Sequence, residues 1–225
     1  MNSAVVRLQS LPARPDAVIV TGDLVDCGRV DEYEKFLEIL KPLDMPFYVI
    51  PGNHDNRETL RKVFRPTHDY LPDDGFLHYV IEGVPLRLIA LDTIIEGEDG
   101  GILCEERLDW LAARLNEARE KPTLIFMHHP PILIGMAEMD RLNCGNADKL
   151  RALLKDHRQV VRVTCGHAHR TIQVRWEHAI VGISPSTAHQ LYLDFEPDNE
   201  TRYIMEPPGL LMHVWDEDQG LTTHT

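Results

Sequence analysis

Residues 46–55 read PFYVIPGNHD. Phe47 to Ile50 form a nearly continuous apolar run, of the length and β-branched, aromatic character of a buried strand. The run stops at Pro51-Gly52, and the three residues that follow, Asn53, His54 and Asp55, all carry groups that bind ions or protons. A strand end is a rigid platform, and a glycine beside a ligand lets the backbone come close to an ion. The same design recurs three times. DAVIVTGD (16–23) ends on Gly22-Asp23, TLIFMHHPP (123–131) on His128-His129, and VVRVTCGHAH (160–169) on Gly166, His167 and His169. Four strand ends that deliver carboxylate, amide and imidazole groups predict one composite site on an α/β fold.

Helical patterns separate these strands. Tyr33, Phe36, Leu37 and Leu40 recur at i, i+3, i+4 and i+7 in VDEYEKFLEILK, the spacing of one helix face. Asp31 and Glu32 stand at its start, where negative charge suits a helix N-terminus. EERLDWLAARLNEAR (105–119) places Leu108, Leu111, Leu115 and Ala118 on one face, and Ala147, Leu150, Leu153 and Leu154 stripe another helix. FLHYVIEG (76–83) and VPLRLIALD (84–92) predict a hairpin around Gly83. After residue 170 the chain is β-rich: TIQVRW, HAIVGI, QLYLDFE and LLMHVW. Alternating β and α followed by a run of strands predicts two packed sheets with helices outside them. No repeat or Gly/Ser linker interrupts the pattern, so residues 1–225 are expected to form a single domain.

The chain has 225 residues, 43% hydrophobic and 26% charged, with 36 acidic against 23 basic side chains and a formal net charge of −13. Such a surface repels polyanions at long range, which argues against long nucleic acids as partners. No apolar run has the length of a membrane-spanning helix, and MNSAVVRLQSLPARPD has no secretory-signal pattern. The four cysteines are widely spaced without a CxxC pair; reduced thiols in the cytoplasm are the expectation. Asp oxygen, Asn carbonyl and imidazole nitrogen form a mixed O/N donor set without thiolate. It suits Mn, Fe, Co or Zn and excludes Cu(I) and iron–sulfur clusters. In a strand, His167 and His169 are two apart and are expected to project the same way.

The series GD…GNHD…HHPP…GHAH resembles the signature of the calcineurin-like metallophosphoesterases. LDWLAARL, TLIFMHHPP, SPSTAHQ and EPPGLLMHVW further resemble the bacterial branch of cyclic-nucleotide and glycerophosphodiester phosphodiesterases. The resemblance covers about residues 5–225. It implies a four-layer α/β/β/α sandwich and a centre of two divalent metal ions. By this resemblance Asp23 corresponds to the carboxylate that bridges both ions, Asn53, His128 and His167 to the other ligands of one ion, and His169 to a ligand of the second. His54 corresponds to the histidine that contacts the phosphate or protonates the leaving group, and with Asn53 it forms the substrate contacts. The implied activity is hydrolysis of cyclic nucleotides or other small phosphodiesters by a metal-bridging hydroxide.

The family pattern opens with Asp-x-His at the end of a first strand, and no Asp-x-His occurs in this sequence. The chain is therefore expected to begin one β-strand late, with an N-terminal strand missing from the sandwich. One ion would keep Asp, Asn and two His ligands, and the other only Asp23 and His169. The alternative expectation is a truncated metal-binding scaffold with an incomplete, weakly active or inactive site. Exposed sheet edges predict a homo-oligomer, a dimer or larger. Outside the motifs, Asp26 and Asp55 read either as acceptors that orient histidines or as helix caps, and His129 as a wall or a supporting donor. His189 is a candidate to approach the site. Asp140 and Arg141 belong to a surface loop that could touch substrate. His68, His78, His157, His178, His213 and His224 are expected to be structural or exposed.

Overall fold

A computed structural model describes residues 1–196 and 199–225. The chain runs through α1 (Asn2–Gln9), β1 (Val18–Val20), α2 (Val30–Leu40), β2 (Phe47–Val49) and α3 (Arg57–Phe64) before the hairpin β3 (Tyr79–Ile81) and β4 (Arg87–Leu91). There follow β5 (Gly101–Ile102), α4 (Glu105–Glu117), β6 (Thr123–Met127), α5 (Ala137–Arg141), β7 (Cys144–Gly145), α6 (Ala147–Lys155) and β8 (Val160–Cys165). The remainder is β9 (Ile172–Trp176), β10 (Ala179–Ile183), β11 (Gln190–Leu191), β12 (Tyr203–Ile204), β13 (Met212–Asp216) and β14 (Gly220–His224). Every strand and helix expected from the sequence has its counterpart, although most strands are shorter than their apolar runs.

The central sheet has the order β3-β4-β6-β8-β10-β9. Strands β4, β6, β8 and β10 are parallel, with antiparallel β3 and β9 at the edges. Buried on both faces, β4 and β6 have no exposed position, which is why they read as unbroken apolar runs. β1 and β2 form a separate parallel pair. The Tyr79 hydroxyl bridges the two layers by donating to the Val49 carbonyl at 2.5 Å. Helices α1, α2 and α3 contact one another in one group and α4 and α6 in another, and Arg87 of β4 ties α4 to the central sheet through Arg114 and Glu117. This is the mixed α/β sandwich expected from the sequence.

Local chemistry sets the helix that precedes the second motif. Glu32 of α2 reaches back to accept from the amides of Arg29 (3.0 Å) and Cys27 (3.1 Å), satisfying donors that a helix start leaves unpaired. Tyr33, Phe36 and Leu40 are buried on one side, as the spacing predicts. Asn56, not Asp55, caps α3 by accepting from the Thr59 amide at 2.9 Å.

One edge of the β1–β2 pair is open. Val18 donates to Pro46 at 2.9 Å and Val20 accepts from Ile50 at 3.3 Å, so the intervening peptide groups of Ile19 face away from β2. Among the described residues no strand pairs on that side. β1 borders instead a cleft of about 970 Å3, which Leu210, Leu211, Met212 and His213 also line.

Candidate metal centre

The parallel strands bring their C-terminal ends to one side, where an open α/β sheet places its ligands. Asp23 follows β1 by three residues, Asn53 follows β2 by four, His128 immediately succeeds β6, and His167 follows β8 by two. Their polar atoms converge. His128 Nε2 lies 3.3 Å from Asp23 Oδ2 and 3.1 Å from Asn53 Oδ1. His167 Nδ1 lies 3.1 Å from the same Asn53 oxygen and 3.3 Å from His128 Nε2.

Gly22, Gly52 and Gly166 permit this approach. A Cβ on Gly52 would stand 2.2 Å from Asp23 Oδ1 and 2.4 Å from the Asp23 amide, and one on Gly22 would stand 2.4 Å from His128 Nδ1. Because the obstacle at Gly52 includes backbone, relaxation would have to move the Asp23 turn itself. Gly52→Ala is expected to cost about 1–3 kcal/mol in overpacking and to lower metal content per chain, checked by a thermal melt together with elemental analysis.

His167 and His169 do not sit in a strand, contrary to expectation. β8 ends at Cys165, and Gly166 starts a turn in which His167 (φ 67°) and His169 (φ 47°) both take the left-handed backbone conformation. The side chains therefore do not follow the two-residue alternation. His167 joins the cluster, while His169 packs against His189 with ring centroids 4.8 Å apart on the wall of the same cleft. Asp23 is left-handed as well, at φ 51°. Such conformations cost non-glycine residues roughly 1–3 kcal/mol and gather at functional sites.

The four converging groups fit a cation. His128 Nδ1 lies 2.7 Å from the Thr21 carbonyl, which only accepts, so Nδ1 carries hydrogen and a neutral His128 presents a bare Nε2. That lone pair faces two acceptor oxygens, an arrangement that requires a proton or a metal ion between them. Ligands bound at about 2.0–2.2 Å around one ion stand roughly 3.0–3.5 Å from each other, which matches the separations here. Two imidazole atoms, His167 Nε2 and His169 Nδ1, are buried without a partner.

The electrostatics agree. Burial opposes ionisation of Asp23, but the adjacent His128 imidazole outweighs it and holds the carboxyl far below its ordinary range. Burial likewise opposes charge on His128, and Asp23 overrides it to raise the imidazole above its usual value. Burial, with His128 beside it, pulls His167 down to about 3, and burial with His189 pulls His169 down. His167 is thus a neutral imidazole at physiological pH, the form that ligates metal.

His54 stands at the rim. Its amide donates to Asp23 Oδ1 at 3.1 Å, and its Nδ1 lies 3.0 Å from the Asp26 carbonyl, with the side chain 49% exposed. Asp26 thus orients this histidine, through its backbone more than its exposed carboxylate. Asp55 does something the sequence did not suggest. Buried, it accepts from the amides of Gly52 (2.8 Å) and Leu24 (3.1 Å) and from the Tyr33 hydroxyl (3.0 Å), locking the Asp23 turn against the Asn53 turn. Asp140 caps the amides of Ile134 (2.7 Å) and Gly135 (3.0 Å) from α5. His129 is wholly buried beside the cluster, bonded to Thr93 and Asp99. Neither of those partners was legible as part of a site, because they lie 36 and 30 residues from His129 and carry no local pattern of their own.

A family model described as calcineurin-like phosphoesterase matches residues 3–171. The chain belongs to that family. Among calcineurin-like relatives, a protein of Arcobacter nitrofigilis named a probable glycerophosphodiester phosphodiesterase, GpdQ, is 44% identical over 226 residues, covering 100% of this chain and 82% of that protein. The glycerophosphodiester phosphodiesterase GpdQ of Enterobacter lignolyticus is 39% identical, over 94% of this chain and 77% of its own length. The 3',5'-cyclic adenosine monophosphate phosphodiesterase CpdA of Escherichia coli K12 is 30% identical, over 78% of this chain and 62% of its own length. The fold matches the crystal structure of a dimetal phosphatase from Danio rerio with a TM-score of 0.64, at 17% identity, covering 82% of this chain and 76% of that one. Calcineurin-like phosphoesterases use divalent metals, and the histidine-rich cluster is where this chain can hold one.

Proposed function

We propose that this protein is a metal-dependent phosphodiesterase that hydrolyses small phosphodiesters, either glycerophosphodiesters or cyclic nucleotides. The observation that carries the reading is the convergence of Asp23, Asn53, His128 and His167 on one point at the wall of the cleft. The names of the relatives support the substrate class. Asp23, Asn53, His128 and His167 would hold one divalent ion, Mn, Fe, Zn or Co, and Asp23 with His169 would contribute to a second. Bound ions of this kind lower the pKa of a coordinated water and neutralise charge on phosphoryl oxygens.

The chain's own groups do the rest. The Asn53 and His54 side chains line the cleft where a phosphate would lie. With His54 Nδ1–H donating to the Asp26 carbonyl, Nε2 is the nitrogen that faces substrate, and it would deliver a proton to the departing alkoxide only from the doubly protonated ring, which would be left as the neutral Nδ1–H imidazole. The formal charge of −13 disfavours long nucleic acids, and no helix among the described residues is long and apolar enough to cross a membrane. A cytoplasmic location is part of the same reading.

The test is elemental analysis of a Mn-reconstituted sample with bis(p-nitrophenyl) phosphate hydrolysis measured on that sample. Between one and two ions per chain, the second site being partly vacant for want of ligands beyond Asp23 and His169, and turnover abolished by His54→Ala, are expected. One ion or fewer with no turnover above buffer would overturn the reading.

We also propose a homo-oligomer, a dimer or larger. Tyr192, Leu193, Phe195, Tyr203 and Met205 all stand exposed around β11 and β12, an apolar patch of the kind that marks a protein interface. Sedimentation velocity is expected to give a species of at least twice the chain mass, and Leu193→Asp combined with Met205→Asp is expected to shift it toward the monomer.

A further inference from the structure

His128, His129 and His167 each offer a nitrogen within 4.8 Å of the others, so composition alone would make His129 a third imidazole ligand. Its hydrogen bonds argue otherwise. His129 Nε2 lies 3.1 Å from the Asp99 carbonyl, which only accepts, so this nitrogen carries the hydrogen. Nδ1 is then the acceptor, and it lies 2.8 Å from the Thr93 hydroxyl. The same hydroxyl oxygen accepts from the His129 amide at 3.3 Å. Both ring nitrogens are thus committed to hydrogen-bond partners of their own.

Close packing and these two hydrogen bonds together set the pose of the ring. His129 is fully buried, and Gly101 lies flat against it, so that a Cβ there would meet ring Cγ and Nδ1 at 2.4 Å. In this fixed pose it stands edge-on to His128, with centroids 4.8 Å apart at 88°, and tilted against His167, at 4.7 Å and 52°. His128 has an anchor of its own in the Thr21 carbonyl. His167 has no such anchor outside the cluster: its Nδ1 meets only Asn53 and His128 and its Nε2 is buried and unpartnered, so its orientation depends on what packs around it.

We propose that His129 is a positioning residue of the metal centre: clamped as the Nε2–H imidazole between Thr93 and Asp99, it wedges the His128 and His167 rings so that their lone pairs meet, and does not itself ligate. The proposal rests on the reading of this cluster as a divalent-ion site. It also gives the Thr93 hydroxyl a function, because removing the donor to Nδ1 frees the ring to reorient and with it His167.

Imidazole 15N NMR on histidine-labelled protein, free of metal and then titrated with Zn2+, tests the assignment directly. The expected spectrum shows His129 as the Nε2–H form throughout, with coordination shifts confined to nitrogens of other histidines. A coordination shift on either His129 nitrogen, or an Nδ1–H form, would overturn the proposal while leaving the metal site intact. Failure of the wild type to bind Zn2+ would overturn both readings.

A second arm compares Thr93→Val, which keeps the shape and deletes the hydroxyl, with Thr93→Ser, which keeps the hydroxyl. By competition with a chromophoric chelator, Thr93→Val is expected to weaken Zn2+ binding about 10–100-fold, the loss typical of a ligand's supporting partner, and Thr93→Ser to stay within about twofold. A metal-free melting temperature lowered by Thr93→Val with unchanged Zn2+ affinity would assign the contact to packing alone and overturn the proposal.

Discussion

Asp23→Asn is expected to lower hydrolysis of bis(p-nitrophenyl) phosphate by about 10^2-fold or more, since removing even a group that only supports a metal ligand typically costs about 10–100-fold. Asp23 supplies the one anionic group among the four that converge, and asparagine removes the charge while keeping an oxygen that can accept from the His54 amide. Asparagine also tolerates the left-handed backbone at this position, so the variant isolates charge from conformation. Asp23→Ala loses the same charge and adds backbone strain, and its melting temperature should fall further. Metal content by elemental analysis is expected to drop with activity in both variants. An Asp23→Asn protein with wild-type metal content would place the ion elsewhere.

The largest loss of stability is expected at Arg57. Its Nε and Nη2 reach the Asp92 carboxylate at 2.6 and 3.0 Å, and Nη2 also donates to the Ile94 carbonyl at 2.7 Å. Asp92 is completely buried and takes two more bonds, from the amides of Leu77 (2.9 Å) and Ile94 (3.0 Å). Removing the guanidinium strands a carboxylate in the core, so Arg57→Ala should cost about 3–5 kcal/mol. At about 2–4 °C per kcal/mol for a chain of this size, the melting temperature falls by roughly 6–20 °C. Arg57→Lys should recover little, because a single ammonium cannot reproduce the two-pronged contact.

The effect depends on pH in a definite sense. Burial would raise the Asp92 carboxyl, but Arg57 and the backbone donors outweigh it and hold its pKa below the ordinary value. A depressed folded pKa contributes stability that is complete above the unfolded value, about 4, and is lost as pH falls through the lower folded value. The gap between wild type and Arg57→Ala should therefore be full at neutral pH and narrow in acid. A gap that stays constant down to pH 3 would contradict the assignment.

The strand ends were legible because each couples two local signals, an apolar run and the glycine-flanked ligand that closes it. The helices were legible for a similar reason: Tyr33, Phe36 and Leu40 sit at a spacing that only one conformation converts into a buried face. What escaped depends on contacts without local pattern. Asp55 meets Leu24 across 31 residues, and Thr93 meets His129 across 36. Nothing near either residue announces its partner. The misjudged pose of His167 and His169 has a different origin, for the strand's alternation holds only as far as its ladder, and that ladder stops at Cys165. The motif series already pointed to the calcineurin-like family, to which the chain belongs; the roles of individual side chains rest on geometry.

The open edge of β1 has a consequence for how the protein breathes. Val18 has its amide hydrogen in a ladder bond, and by the same alternation so does Val20, whereas the Ile19 amide faces the cleft. In deuterated water the strand should thus show slow, fast, slow exchange along three successive residues, a signature that a uniformly paired strand lacks. Any polypeptide that lay down in the cleft and bonded that edge would erase the fast position. The Ile19 amide is consequently a built-in reporter, needing no label or substitution, of whether this side of the sheet is solvated or covered.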